Sequence, residues 1–200
     1  MSLLAKACAF ALVLYSPASV SLPAFAAPVT IMVAPYHYPL VKQVVCDNGL
    51  GTAFRVGPTT LLSVAHVTDN VGCTVDGTPF THVADEGKDF AVIETPIVKL
   101  GAIKINCDGF KPGGWYYATG FARGLPWQRT ILLRASYIKD NEGRHILFGP
   151  DMVAPGMSGG PIVNAAGEAV GTINAYIPMF GMSVSQPLST TSVCKGKAIA

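Results

Sequence analysis

The chain has 200 residues, half of them hydrophobic and 13% charged, and a formal net charge of +2. That length suits one domain or two small ones sharing an interface, and the apolar content is high enough for a packed core, which excludes a disordered chain. The small net charge and the lack of any basic run argue against a nucleic-acid partner.

The first 26 residues read as a signal peptide. Lys6 gives a weak positive start, residues 7–15 form a short apolar run, and Ala24-Phe25-Ala26 is a small-x-small cleavage pattern. Ser16, Pro17 and Ser19 interrupt the run well short of the ~20 apolar residues a membrane-spanning helix needs. Cleavage after Ala26 removes Lys6 and Cys8, leaving 13 basic against 12 acidic residues and an even set of cysteines, Cys46, Cys73, Cys107 and Cys194. In an exported chain, secreted or periplasmic, such a set favours disulfides over zinc, and no CxxC or HExxH spacing calls for a metal. The sequence by itself allows three pairings of these cysteines.

Beyond the leader, short apolar or alternating runs recur between turn signals. They cover residues 50–56 (LGTAFRV, ended by Gly57-Pro58), 60–63, 72–75 (before Asp76-Gly77) and 90–94 (FAVIE, ended by Thr95-Pro96). Loop formers then fill residues 106–114, and further runs follow at 115–119, 129–135, 145–148, 162–164 and 169–175. Many β-rich segments with Gly and Asn punctuation predict an all-β barrel or sandwich. A parallel βαβ design would need amphipathic helices, and none is visible. The loop at 106–114 is the expected linker, between an N-terminal unit (27–105) and a C-terminal unit (115–200).

One segment concentrates chemistry: Pro155-Gly156-Met157-Ser158-Gly159-Gly160-Pro161 sets a lone hydroxyl among residues with little bulk. It contains the G-x-S-x-G pattern of α/β-hydrolases, which place the acid and the histidine after the serine. Here His37, His66, His82, His145 and every aspartate precede Ser158, so that reading fails. His66 stands in the apolar stretch LLSVAHV, and Asp89 opens KDFAVI. Taken singly, each has an ordinary explanation: a satisfied core histidine, a surface turn aspartate and a serine in a tight turn.

In combination and in this order, SVAHV, DFAVI and GMSGGP resemble the chymotrypsin-like (trypsin-like) serine proteases, of the compact bacterial or viral type. The resemblance implies two antiparallel Greek-key β-barrels with the active site in the cleft between them. It implies a serine endopeptidase acting on protein or peptide through an acyl-enzyme, and no sequence feature requires a metal or organic cofactor. His66 would be general base and then acid, Asp89 would orient its imidazole, and Ser158 would be the nucleophile. The backbone N–H groups of Gly156 and Ser158 would form the oxyanion hole, which explains a turn bare enough for close approach. Cys46 and Cys73 flank His66 as a family disulfide does, although Cys73 follows the histidine by seven residues; Cys107 and Cys194 then pair by arithmetic.

Several positions depart from the family pattern. Met157 replaces the aspartate that pairs with a new N-terminus in zymogen-activated relatives, so activation of that kind is not expected. Only 22 residues separate His66 from Asp89, and Asp85 is the fallback acid. Met152 occupies the trypsin aspartate's position at the base of the specificity pocket, with Asp151 one residue away. Asn174-Ala175-Tyr176 aligns with the substrate-pairing strand; with Met152 it predicts a small or medium apolar P1 residue. Three alternatives accompany this reading: a catalytically silent protease-like binding protein, a viral polyprotein-processing protease, and a subtilisin-type order using Asp47, His66 and Ser158. Helix-poor patterning and small size weigh against the last.

Overall fold

The computed structural model describes residues 38–84 and 88–196. The signal-peptide region, His37 and Asp85 lie outside the described residues. Strands dominate, and they gather into two antiparallel sheets, a seven-stranded one in the front half and a closed six-stranded barrel in the back half. The all-β, two-barrel expectation therefore holds for the fold class. The two edge strands of the front sheet are not paired with each other among the described residues.

In the front sheet, β1 (Val41–Cys46) and β2 (Gly49–Arg55) form a tight hairpin, and β3 (Thr60–Ser63) pairs with both β2 and β7 (Ala91–Glu94). Short strands β4 (Thr74–Val75), β5 (Thr78–Pro79) and β6 (Thr81–Ala84) complete it. Val44, Ala53, Leu61 and Ile93 from its strands form one apolar cluster with Val64 and Val67. Among the described residues one short α-helix, α1 (Ala65–Thr68), follows β3 after Val64.

The back barrel is built from β8 (Trp115–Gly120), β9 (Arg129–Lys139), β10 (His145–Phe148), β11 (Pro161–Val163), β12 (Ala169–Ile177) and β13 (Met182–Pro187). Ile131, Leu133, Leu147, Met157, Ile162 and Ile173 fill it. A third cluster joins the halves, with Phe54, Leu62 and Phe90 from the front packed against Tyr117, Val163 and Leu188 from the back. Burying such side chains stabilises by about 1.5–3 kcal/mol each, which fixes the seam where the site lies.

No strand falls in residues 106–114. The chain reaches this segment through a parallel bridge between Ile105 and Ala169, with Asn106 N–H donating to the Ala169 carbonyl at 2.8 Å. Disulfides join Cys46 to Cys73, across the sequence that carries α1, and Cys107 to Cys194, closing the segment onto the C-terminal turns. No helix among the described residues is long and apolar enough to cross a membrane.

Candidate active site

The imidazole is positioned by its own backbone. β3 ends at Ser63, Val64 is extended, and the one-turn α1 presents His66 at the seam with a side chain 47% exposed. Asp89 lies one residue before the fully buried Phe90, which anchors the start of β7. Its carboxylate takes two contacts from the same histidine: the His66 N–H donates to Oδ1 at 3.0 Å, and ring Nδ1 lies 2.7 Å from Oδ2. This two-point grip fixes the ring and selects the tautomer with the proton on Nδ1, leaving Nε2 as the basic nitrogen.

Burial works to raise the Asp89 pKa, but hydrogen bonds from the His66 ring and backbone, attraction to His66 and a hydrogen bond from Asn174 together hold it below the ordinary carboxylate value. Asn174 is 2% exposed and sits where the β12–β13 register shifts between Ile173 and Ala175. A bulge of this kind re-aims a side chain, and here it turns the amide toward the front sheet. Asn174 Nδ2 donates to the Asp89 carbonyl at 2.8 Å and to Oδ2 at 3.0 Å. Its Oδ1 accepts from Gln186 N–H at 2.7 Å and Thr172 Oγ1 at 3.1 Å, so the amide orientation is fully specified.

Ser158 is half-buried, and its Oγ donates to the Asn174 carbonyl at 3.3 Å. No hydrogen bond joins it to His66 among the described residues; such contacts are often long in unliganded enzymes and tighten on the reacting complex. Asn174 thus touches both Asp89, through its side chain, and Ser158, through its carbonyl, and brings the three predicted residues to one locality.

The turn around Ser158 is held from both halves. Gly156 and Gly159 have φ of 89° and 85°. A Cβ at Gly156 would collide with the Phe121 carbonyl, and one at Gly159 with the Thr52 carbonyl and Ser63 Oγ, so close packing as well as left-handed backbone requires glycine. Gly159 N–H donates to Ile173 O at 2.7 Å, and Thr52 N–H to Ser158 O at 2.8 Å. Met157 is fully buried in the back barrel, with its sulfur accepting from Ala154 N–H at 3.4 Å. Among the described residues, the N–H groups of Gly156 and Ser158 donate to no backbone or side-chain acceptor.

Thr52 was not singled out by the sequence, although it is a principal contact of this turn. Fully buried on β2, it donates its hydroxyl to Gly156 O at 2.7 Å and accepts from Phe121 N–H at 3.1 Å. Its own carbonyl accepts Ser63 Oγ at 2.7 Å. The only signal in the sequence was a polar residue inside an apolar run, which demands buried partners. The same signal marks Asn174, which the sequence expects in a substrate-pairing strand and whose side chain holds the acid.

Beside Ser158 lies a cavity of about 330 Å³ lined by Val153, Ala154, Ile173, Ala175 and Tyr176, with no charged side chain among its lining residues. Met152 does not line it. Tyr176 donates its hydroxyl to the Met152 sulfur at 2.7 Å, and Met152, 44% exposed, lines a neighbouring cavity of about 490 Å³. Asp151 is also outside the smaller cavity, ion-paired with Arg129 at 3.0 Å. Asp47 is exposed at the β1–β2 turn, packed against Gly72, and the structure gives it no contact with His66. Among the described residues no cluster of His, Cys, Asp or Glu is arranged to hold a metal.

The sequence profile of a trypsin-like peptidase domain matches residues 51–171. No curated protein sequence matches the chain significantly. Among solved structures, it is similar in fold to the active form of the Rv3671c protease from M. tuberculosis, at 17% identity and a TM-score of 0.67, covering 83% of this chain and 86% of that one. It is also similar to the serine endoprotease from Yersinia pestis, at 21% identity and a TM-score of 0.66, covering 80% of this chain and 62% of the other. The HtrA-type protease AlgW with tripeptide gives 21% identity and a TM-score of 0.66, with 81% and 62% covered. The chain thus spans about three fifths of those last two proteins.

Proposed function

The chain belongs to the trypsin-like peptidase family, and we propose that, as a serine endopeptidase, it cuts protein or peptide chains by a His66–Asp89–Ser158 acyl-enzyme mechanism. His66 Nε2 removes the Ser158 proton as Oγ attacks the scissile carbonyl, then returns it to the leaving amine. Asp89 stays ionised, holds Nδ1–H and stabilises the imidazolium. The Gly156 and Ser158 N–H groups receive the oxyanion. The observation that carries this reading is the Asn174 link, which ties the acid of the front half to the serine of the back half within hydrogen-bond reach of one residue.

The remaining parts of the proposal concern specificity and location. The uncharged 330 Å³ cavity beside Ser158 favours a small or medium apolar P1 residue, with Ala175 and Tyr176 as its wall. A cleavage profile dominated by Arg or Lys at P1 would overturn that assignment. The two disulfides fit an oxidising compartment, in keeping with export led by residues 1–26 and units at 27–105 and 115–200 joined by 106–114. AlgW is described with a bound tripeptide, and we carry peptide binding over to this chain.

The test is labelling with a fluorophosphonate that reacts with activated serines. Wild type should label and turn over peptide, whereas Ser158→Ala should not label. Ser158→Ala and His66→Ala should each lower kcat by roughly 10⁴-fold or more. A folded wild-type protein that neither labels nor cleaves would support a silent binding protein instead.

A further inference from the structure

We propose that Arg123 is the recognition residue for a carboxylate carried by the substrate chain close to the bond being cut. This rests on the serine-protease reading for what is bound, and on separate residues for how. Arg123 follows β8 in the three-residue turn Ala122–Gly124 and has φ 54° and ψ 30°, the left-handed region that a residue with a side chain rarely adopts. Such strain persists only where surrounding contacts impose it, and it concentrates at functional sites. Here the contact is direct: Arg123 N–H donates to the Pro155 carbonyl at 2.6 Å, one residue before the proposed oxyanion turn. The neighbouring Gly124 has φ 71° and would carry a left-handed turn without penalty, so the chain keeps a strained arginine beside a residue that needs no strain.

Its surroundings supply the other half of the argument. Arg123 lines the 490 Å³ cavity, which shares Val153, Ala154, Pro155 and Tyr176 with the cavity next to Ser158. The other cation there, Arg129, is neutralised by Asp151 at 3.0 Å. Among the described residues the Arg123 guanidinium has no hydrogen-bond or ion-pair partner, so it carries the uncompensated charge of this depression. Phe148, Met152 and Phe180 line the same cavity and each leaves apolar surface exposed. A planar fork in such a depression suits bidentate capture of an Asp or Glu side chain, while the apolar lining seats the aliphatic part. The specificity expected is then composite: an uncharged side chain beside Ser158 and an acidic one within reach of Arg123.

The experiment uses fluorogenic peptides with an apolar P1 residue and a glutamate walked one position at a time along both sides, each matched to its glutamine twin. Wild type should prefer Glu over Gln by about tenfold in kcat/KM at one register. That preference should vanish in Arg123→Gln, persist in part in Arg123→Lys, and reverse to favour Gln over Glu in Arg123→Glu. An equal Glu-to-Gln ratio at every register in wild type, or one unchanged in Arg123→Gln, overturns the proposal. The same peptides are also titrated by fluorescence anisotropy against Ser158→Ala with and without Arg123→Gln. This arm reads the carboxylate preference without turnover. If no peptide is cleaved yet the Glu preference in binding depends on Arg123, the protease reading fails and this one stands; if peptides are cleaved with no charge preference, the reverse holds.

Discussion

Replacing Thr52 by valine keeps the shape of the side chain and removes one oxygen. That oxygen donates to Gly156 O at 2.7 Å and accepts from Phe121 N–H at 3.1 Å, so two main-chain groups packed against the turn lose a partner together. Leaving a buried polar group unsatisfied costs about 1–3 kcal/mol, giving roughly 2–6 kcal/mol for the pair before relaxation. The cost divides between unfolding and local loosening. For a domain of this size each kcal/mol lowers Tm by about 2–4 °C. The share that loosens residues 156–158 appears as misaligned oxyanion donors, and removal of one such donor elsewhere lowers kcat by about 10²–10³-fold. Because Thr52 N–H still holds Ser158 O at 2.8 Å, the turn retains one tether, and a kcat loss of about 10–10²-fold is expected with KM little changed. The assay is steady-state hydrolysis of an apolar-P1 peptide well below Tm, with active sites counted by fluorophosphonate titration. Thr52→Ser restores the hydroxyl and should recover most of the rate. A Thr52→Val protein with lowered Tm but wild-type kcat per titrated site would refute the idea that this clasp shapes the oxyanion turn.

Asn174→Ala removes a hydrogen bond that helps keep the Asp89 carboxylate ionised, so the Asp89 pKa rises. The Asp89 carboxyl titration, followed by carbon-13 NMR, should therefore move to higher pH in the variant; an unmoved titration contradicts the assignment. Glu168 accepts from Lys104 at 2.6 Å, Asn106 at 2.8 Å and Asn164 at 3.1 Å, which lower its pKa from 4.5 to about 2. Its depressed value means that its contribution is complete above pH 4.5 and disappears as pH falls toward 2, so Glu168→Gln should lower Tm at neutral pH and flatten the Tm profile across that window. Replacing both Cys107 and Cys194 by serine opens a loop of 87 residues, for which chain entropy predicts a loss of roughly 4–5 kcal/mol, read by denaturant unfolding with and without reductant. Indifference of the wild type to reductant under conditions shown to break the bridge would argue against it.

The residues that were legible in the sequence are those whose signal is local. β3 and β10 fall on residues 60–63 and 145–148 because apolar runs there are bounded by turn formers. His66, Asp89 and Ser158, the proposed catalytic residues, stand in short motifs whose local geometry, a one-turn helix, a strand start and a glycine turn, needs only neighbours in sequence. β13 carries no alternating apolar signal because both its faces are buried and largely polar: Ser183, Ser185 and Gln186 are each at most 2% exposed. Ser185 Oγ donates to Thr172 O and Gln186 N–H to Asn174 Oδ1, so the strand is specified by its partner strand and not by alternation of apolar residues. β9 runs on to Lys139, past the expected end at 135, through Tyr137 and Ile138, which are 84% and 62% exposed and pack into no core that would have marked them.

The same distinction separates the chemistry from its support. Thr52 and Gly156 are 104 positions apart, and Asn174 and Asp89 are 85 apart. No window along the chain contains both members of either pair. What the sequence does contain is an unpaid demand: a threonine and an asparagine inside strands otherwise bound for the interior, each needing partners that only a tertiary contact supplies. Both demands are met across the seam, Thr52 from the front half into the serine turn and Asn174 from the back half onto the acid. The interlock runs in both directions, so neither half can present its share of the site without the other. Folding of the seam and assembly of the catalytic geometry are therefore one event, and substitutions at Thr52 or Asn174 should couple non-additively with Asp89 and Ser158 in double-mutant cycles.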